Sequence, residues 1–497
     1  MYVTTEAPNN LFDPQRWGLS VEAVEDLGTG LRQSWQRFAD CFRTKTRDGS
    51  GDAYHYLSGL LRMKEERNFA TIGRQAGLAE QNVQHFVTNS PWSAQPVVER
   101  IQQEIAAKPG LEHGGVLLLD ESADEKAGLK SVGAARQYNG RMGKVDLSQV
   151  GVFLAYSNIS PTLEAPVWTW VDGEVFLPEH WFDAAMAPER KRLGIPAERA
   201  FATKVALGWQ MVQRAVAHGL PFAVLACDDL YGRSTWFRGQ LAQAKIRYMA
   251  DVPTITLVYL HPPTVGVPPV VPGQKGRPPS RTQVLSAEKP IAIRDVFGLA
   301  DTVRQRVRVR ATERGAIEDV FAVRRVWTDR DEPGVPTTEE WAVIRQEADG
   351  KLNCSLSNAP PESTIEHLAW WKCQRYFIER ANEDAKTELG WDEFRAQKYR
   401  AWQHQLALTV LATWFIAETK LDWARQAARD PNLAKQFAVE VLPLLSTANV
   451  RAMLRAAMPL PDLNAQQACA LVVKHLVNRT RAKKSRIKHR HNSGPAP

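Results

Sequence analysis

Val116-Leu117-Leu118-Leu119-Asp120-Glu121-Ser122 is the stretch on which the fold turns. Four apolar residues in a row, bounded by acids, read as a strand buried on both faces rather than an alternating surface strand. The pattern returns at Phe222-Ala223-Val224-Leu225-Ala226-Cys227-Asp228. A third acid, Glu379, lies in a stretch that reads as helix, four residues after Arg375 and seven before Lys386. A carboxylate at the end of a buried strand is costly unless it is paired or holds a cation. Three of them supply an all-oxygen donor set suited to Mg2+ or Mn2+. In a two-metal phosphoryl transfer, Asp120 would bridge both ions while Asp228 and Glu379 each held one.

Each acid also has a plain structural reading. Asp120 can cap a helix, since Ser122 and Asp124 come after it, and Asp228 or Asp229 can cap the next one. Glu379 with Arg375 makes an ordinary i,i+4 ion pair, a contribution of about 0.3–0.5 kcal/mol. It is the joint placement of the three that favours a metal site. Arg375, Glu379 and Lys386 are spaced to share one helix face, which puts a cation on each side of the acid to meet phosphates flanking a scissile bond.

Between the two acid-ended runs, Val150–Tyr156 and Val167–Val171 read as strands, Asp172-Gly173 as a turn and Thr203–His218 as a helix. Strands with alternating residues come next at Val307–Arg310 and Phe321–Trp327, and Trp341–Arg345, a turn at Asp349-Gly350 and Leu352–Leu356 read as a hairpin. The order strand–strand–strand–helix–strand–insert–helix predicts an α/β fold: a ribonuclease-H-like catalytic core interrupted by a β-rich insertion. The expected organisation is an N-terminal helical domain over 1–110, the core's first part over 111–252 and the insertion over 253–360. The core's second part, carrying the Glu379 helix, occupies 361–420, and a helical, basic C-terminus 421–497. Seven prolines within residues 261–282, a segment that also holds Lys275, Arg277 and Arg281, mark the start of the insertion as an exposed connection.

The net charge is +8, and Lys474 to Arg490 contains eight Lys/Arg with no acid, so that segment alone accounts for the surplus. It reads as a nucleic-acid arm, with Lys483, Lys484 and Arg486 at its centre, against the alternative of a solubilising tail. Asn68 to Phe86 has the pattern of a helix-turn-helix, with Gly77 at the turn and Gln81, Asn82 and Gln84 free to face a major groove; a helical hairpin without DNA contact is the alternative. No apolar run is long enough to span a membrane. The polar, acidic Met1–Arg16 is not a secretory signal. Five scattered cysteines, none in a CxxC pair, argue for a reducing compartment and against structural zinc. Walker A, HExxH, G-x-S-x-G and GxGxxG patterns are all missing, which argues against nucleotide hydrolysis.

Several blocks carry a family resemblance. They are Leu119-Asp120-Glu121-Ser122, Lys130–Tyr138, Gly143–Asp146 with Gln149–Phe153, Asp228-Asp229-Leu230-Tyr231-Gly232, Leu356–Pro360, and Ile378-Glu379-Arg380 with Asp384-Ala385-Lys386. Ser90-Pro91-Trp92 fits as well. From about residue 30 to 420 the chain resembles a DDE transposase of the ribonuclease-H-like superfamily, close to the bacterial insertion sequence 701 family. The resemblance implies an enzyme that binds terminal inverted repeats in double-stranded DNA, cuts element ends and joins the freed 3′ ends to target DNA. It implies Mg2+ (or Mn2+), a homodimer on paired ends, and a cytoplasmic, nucleoid-associated location.

Arg136 and Lys144 lie in its blocks as DNA contacts, and Trp327 or Trp341 is the candidate to stack on a flipped base, unless both fill the insertion's own core. A Tyr-Arg-Glu-Lys signature maps onto Arg375, Glu379 and Lys386, but Lys372 stands at the tyrosine position. Where relatives have Asp-Asp-Thr this chain has Asp120-Glu121-Ser122, so Glu121 is the alternative first ligand. A domesticated, inactive DNA-binding regulator and a ribonuclease-H-like resolvase are the competing functions.

Overall fold

A computed structural model describes residues 11–140, 142–159, 165–270, 277, 279–312, 315–460 and 464–492. Of the proline-rich connection, residues 271–276 and 278, with Lys275, lie outside the described residues. The chain divides into two compact units, one ending at Ala457 and one starting at Met458.

The first unit is built on one ten-stranded sheet. Its strands are β1 (Val116–Glu125), β2 (Ala135–Asn139), β3 (Lys144–Asn158), β4 (Val167–Val175), β5 (Val224–Cys227), β6 (Tyr248–Val252), β7 (Val303–Thr312), β8 (Gly315–Thr328), β9 (Thr338–Gln346) and β10 (Leu352–Ser357). β1, β5 and β6 are parallel neighbours, β3 runs antiparallel to β1, and β4 antiparallel to β3. The order β4-β3-β1-β5-β6 is consistent with the ribonuclease-H-like core that the sequence predicts. Val116 to Leu119 are fully buried. At roughly 1.5–3 kcal/mol per buried aliphatic side chain, this run fixes β1 at the centre.

Apart from two short two-stranded ribbons (257–258 with 291–292, 265–266 with 283–284), the strands of the β-rich insertion join the central sheet. β10 pairs antiparallel with β6, with Ala250 opposite Leu356 and Asp251 opposite Ser355, and β9, β8 and β7 lie successively outward. The Asn358 side chain fixes this joint. Its Oδ1 accepts from the Tyr248 N–H at 2.8 Å, and its Nδ2 donates to the Ile246 carbonyl at 2.9 Å.

Asp172-Gly173, expected as a turn, lies inside β4. A Cβ at Gly173 would meet Leu406 at 2.9 Å and Phe153 at 3.1 Å, so the glycine serves close packing of sheet on helix. Asp172 is buried there and paired to Arg214 at 2.8 Å.

Helices α1 (Leu27–Gln36), α2 (Ser50–Arg62), α3 (Phe69–Gln75), α4 (Glu80–Thr88) and α5 (Gln95–Ala107) precede the sheet. The expected helix-turn-helix corresponds to α3 and α4. Asn68 caps α3 by accepting from the Thr71 N–H at 3.0 Å, and Gly77 turns the chain at φ +68°. α6 (Lys204–Ala217) and α7 (Thr235–Gln243) flank β5; α8 (Ile365–Cys373), α9 (Tyr376–Glu383) and α10 (Tyr399–Gln426) come after the insertion.

α10 runs 28 residues, about 42 Å at 1.5 Å per residue. It packs against β4 and also against α2, α4 and α5. The N-terminal helices therefore share a core with the sheet. His404 of α10 stacks on Trp92 at 3.6 Å between ring centroids, which places the Ser90-Pro91-Trp92 block in this joint. α11 (Thr447–Ala457) closes the first unit. The second contains α12 (Ala465–Asn492), which carries the basic segment.

Candidate active site

Strand register lines up the site. Leu119 sits beside Cys227, and Cys227 beside Ala250, in adjacent parallel strands. The next residue in each is an acid: Asp120, Asp228 and Asp251. The carboxyl ends of parallel strands are where open α/β sheets gather ligand-binding groups. Gly232 makes the arrangement compact, because a Cβ there would lie 1.9 Å from the Asp251 carbonyl oxygen. The short helix Asp229–Gly232 can thus press onto β6, with Asp228 as its cap accepting from the Leu230 N–H at 3.1 Å. Asp229 points elsewhere, to Arg233 at 2.8 Å.

Glu379 comes from α9, which packs across β1 and β3. The continuous helix expected through Arg375, Glu379 and Lys386 is instead broken. α8 ends at Cys373, Arg375 stands at the N-cap position of α9, and Asp384–Glu388 forms a π turn. A π turn holds an extra residue and rotates the chain beyond it, and such turns are frequent at functional sites. Lys386 consequently reaches the end of β1. Its Nζ lies 3.2 Å from Asp124 Oδ1 and donates to the Ala123 carbonyl at 3.2 Å.

Arg375 ties the acids together. Its guanidinium lies 2.7 Å from Glu379 Oε1, 3.5 Å from Asp120 Oδ2 and, through Nε, 3.3 Å from Asp251 Oδ2. Burial pushes the Asp120 carboxyl up to about 6, with Arg375 opposing. Burial, and after it the charge of Asp120, pushes Asp228 up to about 7. Asp251 behaves oppositely: burial works against its charge, yet Lys372 and Arg375 hold it below the usual carboxylate range. Glu121 faces Lys204, 2.7 Å away.

Asp120 and Asp228 are thus two half-buried, mutually repelling carboxylates at adjacent strand ends, with Arg375 the cation that opposes their repulsion. All-oxygen donors of this kind fit Mg2+ or Mn2+. Among the described residues, no three His, Cys, Asp or Glu side chains are grouped around a single ion position. Glu379 is linked to Asp120 through Arg375, and its side chain is 53% exposed.

The remaining predicted residues are spread over the surface. Gln81, Asn82 and Gln84 are exposed on α4. Gln84 also lines a cavity of about 440 Å3 with Arg67, Arg192, Phe394, Arg395 and Lys398. Arg136 and Lys144 are exposed on β2 and β3, and Lys144 pairs with Asp146 at 3.0 Å. Trp327 and Trp341 are half-buried. Trp327 bridges Tyr259 through its backbone, and Trp341 donates from Nε1 to the Pro360 carbonyl. Lys483 and Lys484 are exposed on α12, while the Arg486 side chain is outside the described residues.

Sequence reasoning missed Asp251 and gave Lys372 no role. The signal for Asp251 was present: Tyr248-Met249-Ala250-Asp251 is a short apolar run ending in an acid, like the two that were recognised.

A profile of the DDE superfamily endonucleases matches residues 37–316. The chain belongs to that family. It is also 24% identical over 358 residues to a probable transposase for insertion sequence element IS701 from Microchaete diplosiphon, covering 70% of this chain and 78% of that protein. The matched span carries the sheet from β1 to β7 with Asp120, Asp228 and Asp251, while Glu379 lies beyond it. Among the described residues of this DDE family member, no helix is long and apolar enough to cross a membrane.

Proposed function

We propose that this chain is a DNA transposase that cuts the ends of a mobile element and joins them to target DNA. The observation that carries the reading is the pairing of Asp120 with Asp228 at adjacent strand ends, beside the Arg375–Glu379 pair. Membership of the DDE endonucleases and similarity to an insertion-sequence transposase supply the substrate class. Asp120, Asp228 and Glu379 would hold divalent cations, which supply Lewis acidity and an activated nucleophile at neutral pH.

The protein's own groups do the positioning. Arg375 and Lys386 offer cationic hydrogen-bond donors to phosphates on either side of the scissile bond. The basic cavity beside α4 and the exposed Gln81, Asn82 and Gln84 serve end recognition, and Arg136 and Lys144 contact the backbone nearer the cut. Trp327 is the candidate platform for an extruded base. Two copies acting on paired ends, with inverted repeats as the recognised sequence, complete the scheme.

The test is to incubate the protein with Mg2+ and DNA carrying both flanks of its coding region. Cuts are expected at the two element boundaries, lost when EDTA removes the metal and lost in Asp228→Asn, with DNA binding kept within a few-fold. Equal cutting with EDTA present would refute the metal-dependent mechanism.

A further inference from the structure

Asp251 stands in line with Asp120 and Asp228, yet it is saturated by protein partners. Its Oδ1 accepts from Lys372 Nζ at 2.9 Å and from the Ser355 hydroxyl, and its Oδ2 faces Arg375 Nε at 3.3 Å. Lys372 also donates to Ser355, and its side chain is 3% exposed. A carboxylate satisfied in this way is a poor metal ligand but a firm anchor, because breaking the pair would strand the buried Lys372 charge. What it anchors is Arg375, whose other nitrogens reach Glu379 and Asp120.

We infer that Asp251 is a positioning residue that holds Arg375 across the carboxylate site as a built-in cation, which a divalent metal and a DNA phosphate must together dislodge. This rests on the reading of Asp120, Asp228 and Glu379 as metal-binding acids. Without DNA, Arg375 neutralises Asp120 and Glu379 and so competes with the metal. Its Nε contact with Asp251 lets the guanidinium swing without leaving the site, so its terminal nitrogens can pass from the acids to a phosphate. A planar guanidinium suits this exchange, because the same fork matches carboxylate and phosphate. Lys372 supplies the charge that keeps Asp251 ionised and committed to Arg375. The consequence is coupling: DNA tightens metal binding and metal tightens DNA binding, by the same factor.

The experiment measures Mn2+ affinity by thermal shift, with and without a short mixed-sequence DNA duplex. The wild type, Arg375→Gln, Asp251→Asn and an Asp120→Asn/Asp228→Asn double variant are compared. In the wild type, DNA is expected to tighten Mn2+ roughly five- to tenfold, the lower range of site-to-site coupling. Arg375→Gln is expected to bind Mn2+ tighter than the wild type without DNA and to show no further gain with it. Asp251→Asn should retain Mn2+ binding with the coupling weakened. If Asp251→Asn does not fold, Arg375→Gln decides alone, since it removes a partly exposed group. Mn2+ affinity in Arg375→Gln that is unchanged or weaker, with the DNA effect intact, overturns the inference and leaves the active-site reading standing. Mn2+ stabilisation equal in the wild type and the double variant overturns both.

Discussion

At the residue scale, Gly232 sets how closely the active-site strands and the cap after β5 can approach. With a Cβ 1.9 Å from a backbone oxygen, something must move. Gly232→Ala is predicted to cost at least about 2 kcal/mol of stability by overpacking, read as a lowered melting temperature. A wild-type melting curve would show that the close approach is unimportant.

Lys420 is a second point of tension. It is buried against Trp168, 4.1 Å from the ring centroid, and burial pushes its pKa down to about 8, with Asp384 opposing. Unfolded, it titrates near 10.5. As pH falls from 10.5 to about 8 the unfolded chain takes up this proton and the folded chain does not. Stability is therefore lost through that window, and the loss is complete below it. Lys420→Met should stabilise the fold at pH 7 by roughly 1–2 kcal/mol, after the lost cation–π contact is offset, and the gain should shrink toward pH 10.5. A less stable variant at pH 7 would contradict this.

Asp120 and Asp228 were legible because an apolar run ending in an acid has little other use in a soluble core. Asp251 was not recognised, because Tyr248–Val252 is a five-residue strand set between a helix and a proline. Its partner Lys372, one turn before Arg375, looked like a defect in a motif rather than the other half of an ion pair.

At the element scale, β1, β5 and α6 were readable from local periodicity alone. The break between α8 and α9 was not, because no glycine or proline interrupts Ile365–Glu383. The π turn at Asp384–Glu388 is likewise set by tertiary partners: Asp384 accepts from Trp168 and Thr447, and Lys386 reaches Asp124. The turn at Asp172-Gly173 was misread because composition cannot separate a loop glycine from one that makes room for a packed helix.

α12 gives its own prediction. Its backbone is one 28-residue helix with Lys474, Arg479, Arg481, Lys483 and Lys484 exposed. Removing residues 474–497 should weaken DNA binding and flatten the plot of log affinity against log salt by about 0.9 per lost phosphate contact. An unchanged slope would mean that the basic helix does not touch DNA.

At the scale of the whole molecule, the insertion's strands extend the catalytic sheet and the N-terminal helices close over α10. Neither was visible in the sequence, because both depend on pairing between segments far apart in the chain. The proposed DNA-reading helix α4 and the carboxylates are thus parts of one packed unit, joined through α10, α9 and the π turn. The most direct measurement is single-turnover cleavage and equilibrium binding on one DNA carrying an element end, for Asp120→Asn, Asp228→Asn and Glu379→Gln. Each is predicted to bind within a few-fold of the wild type and to cut at least about 100-fold more slowly. Wild-type cutting by any of the three would contradict the account.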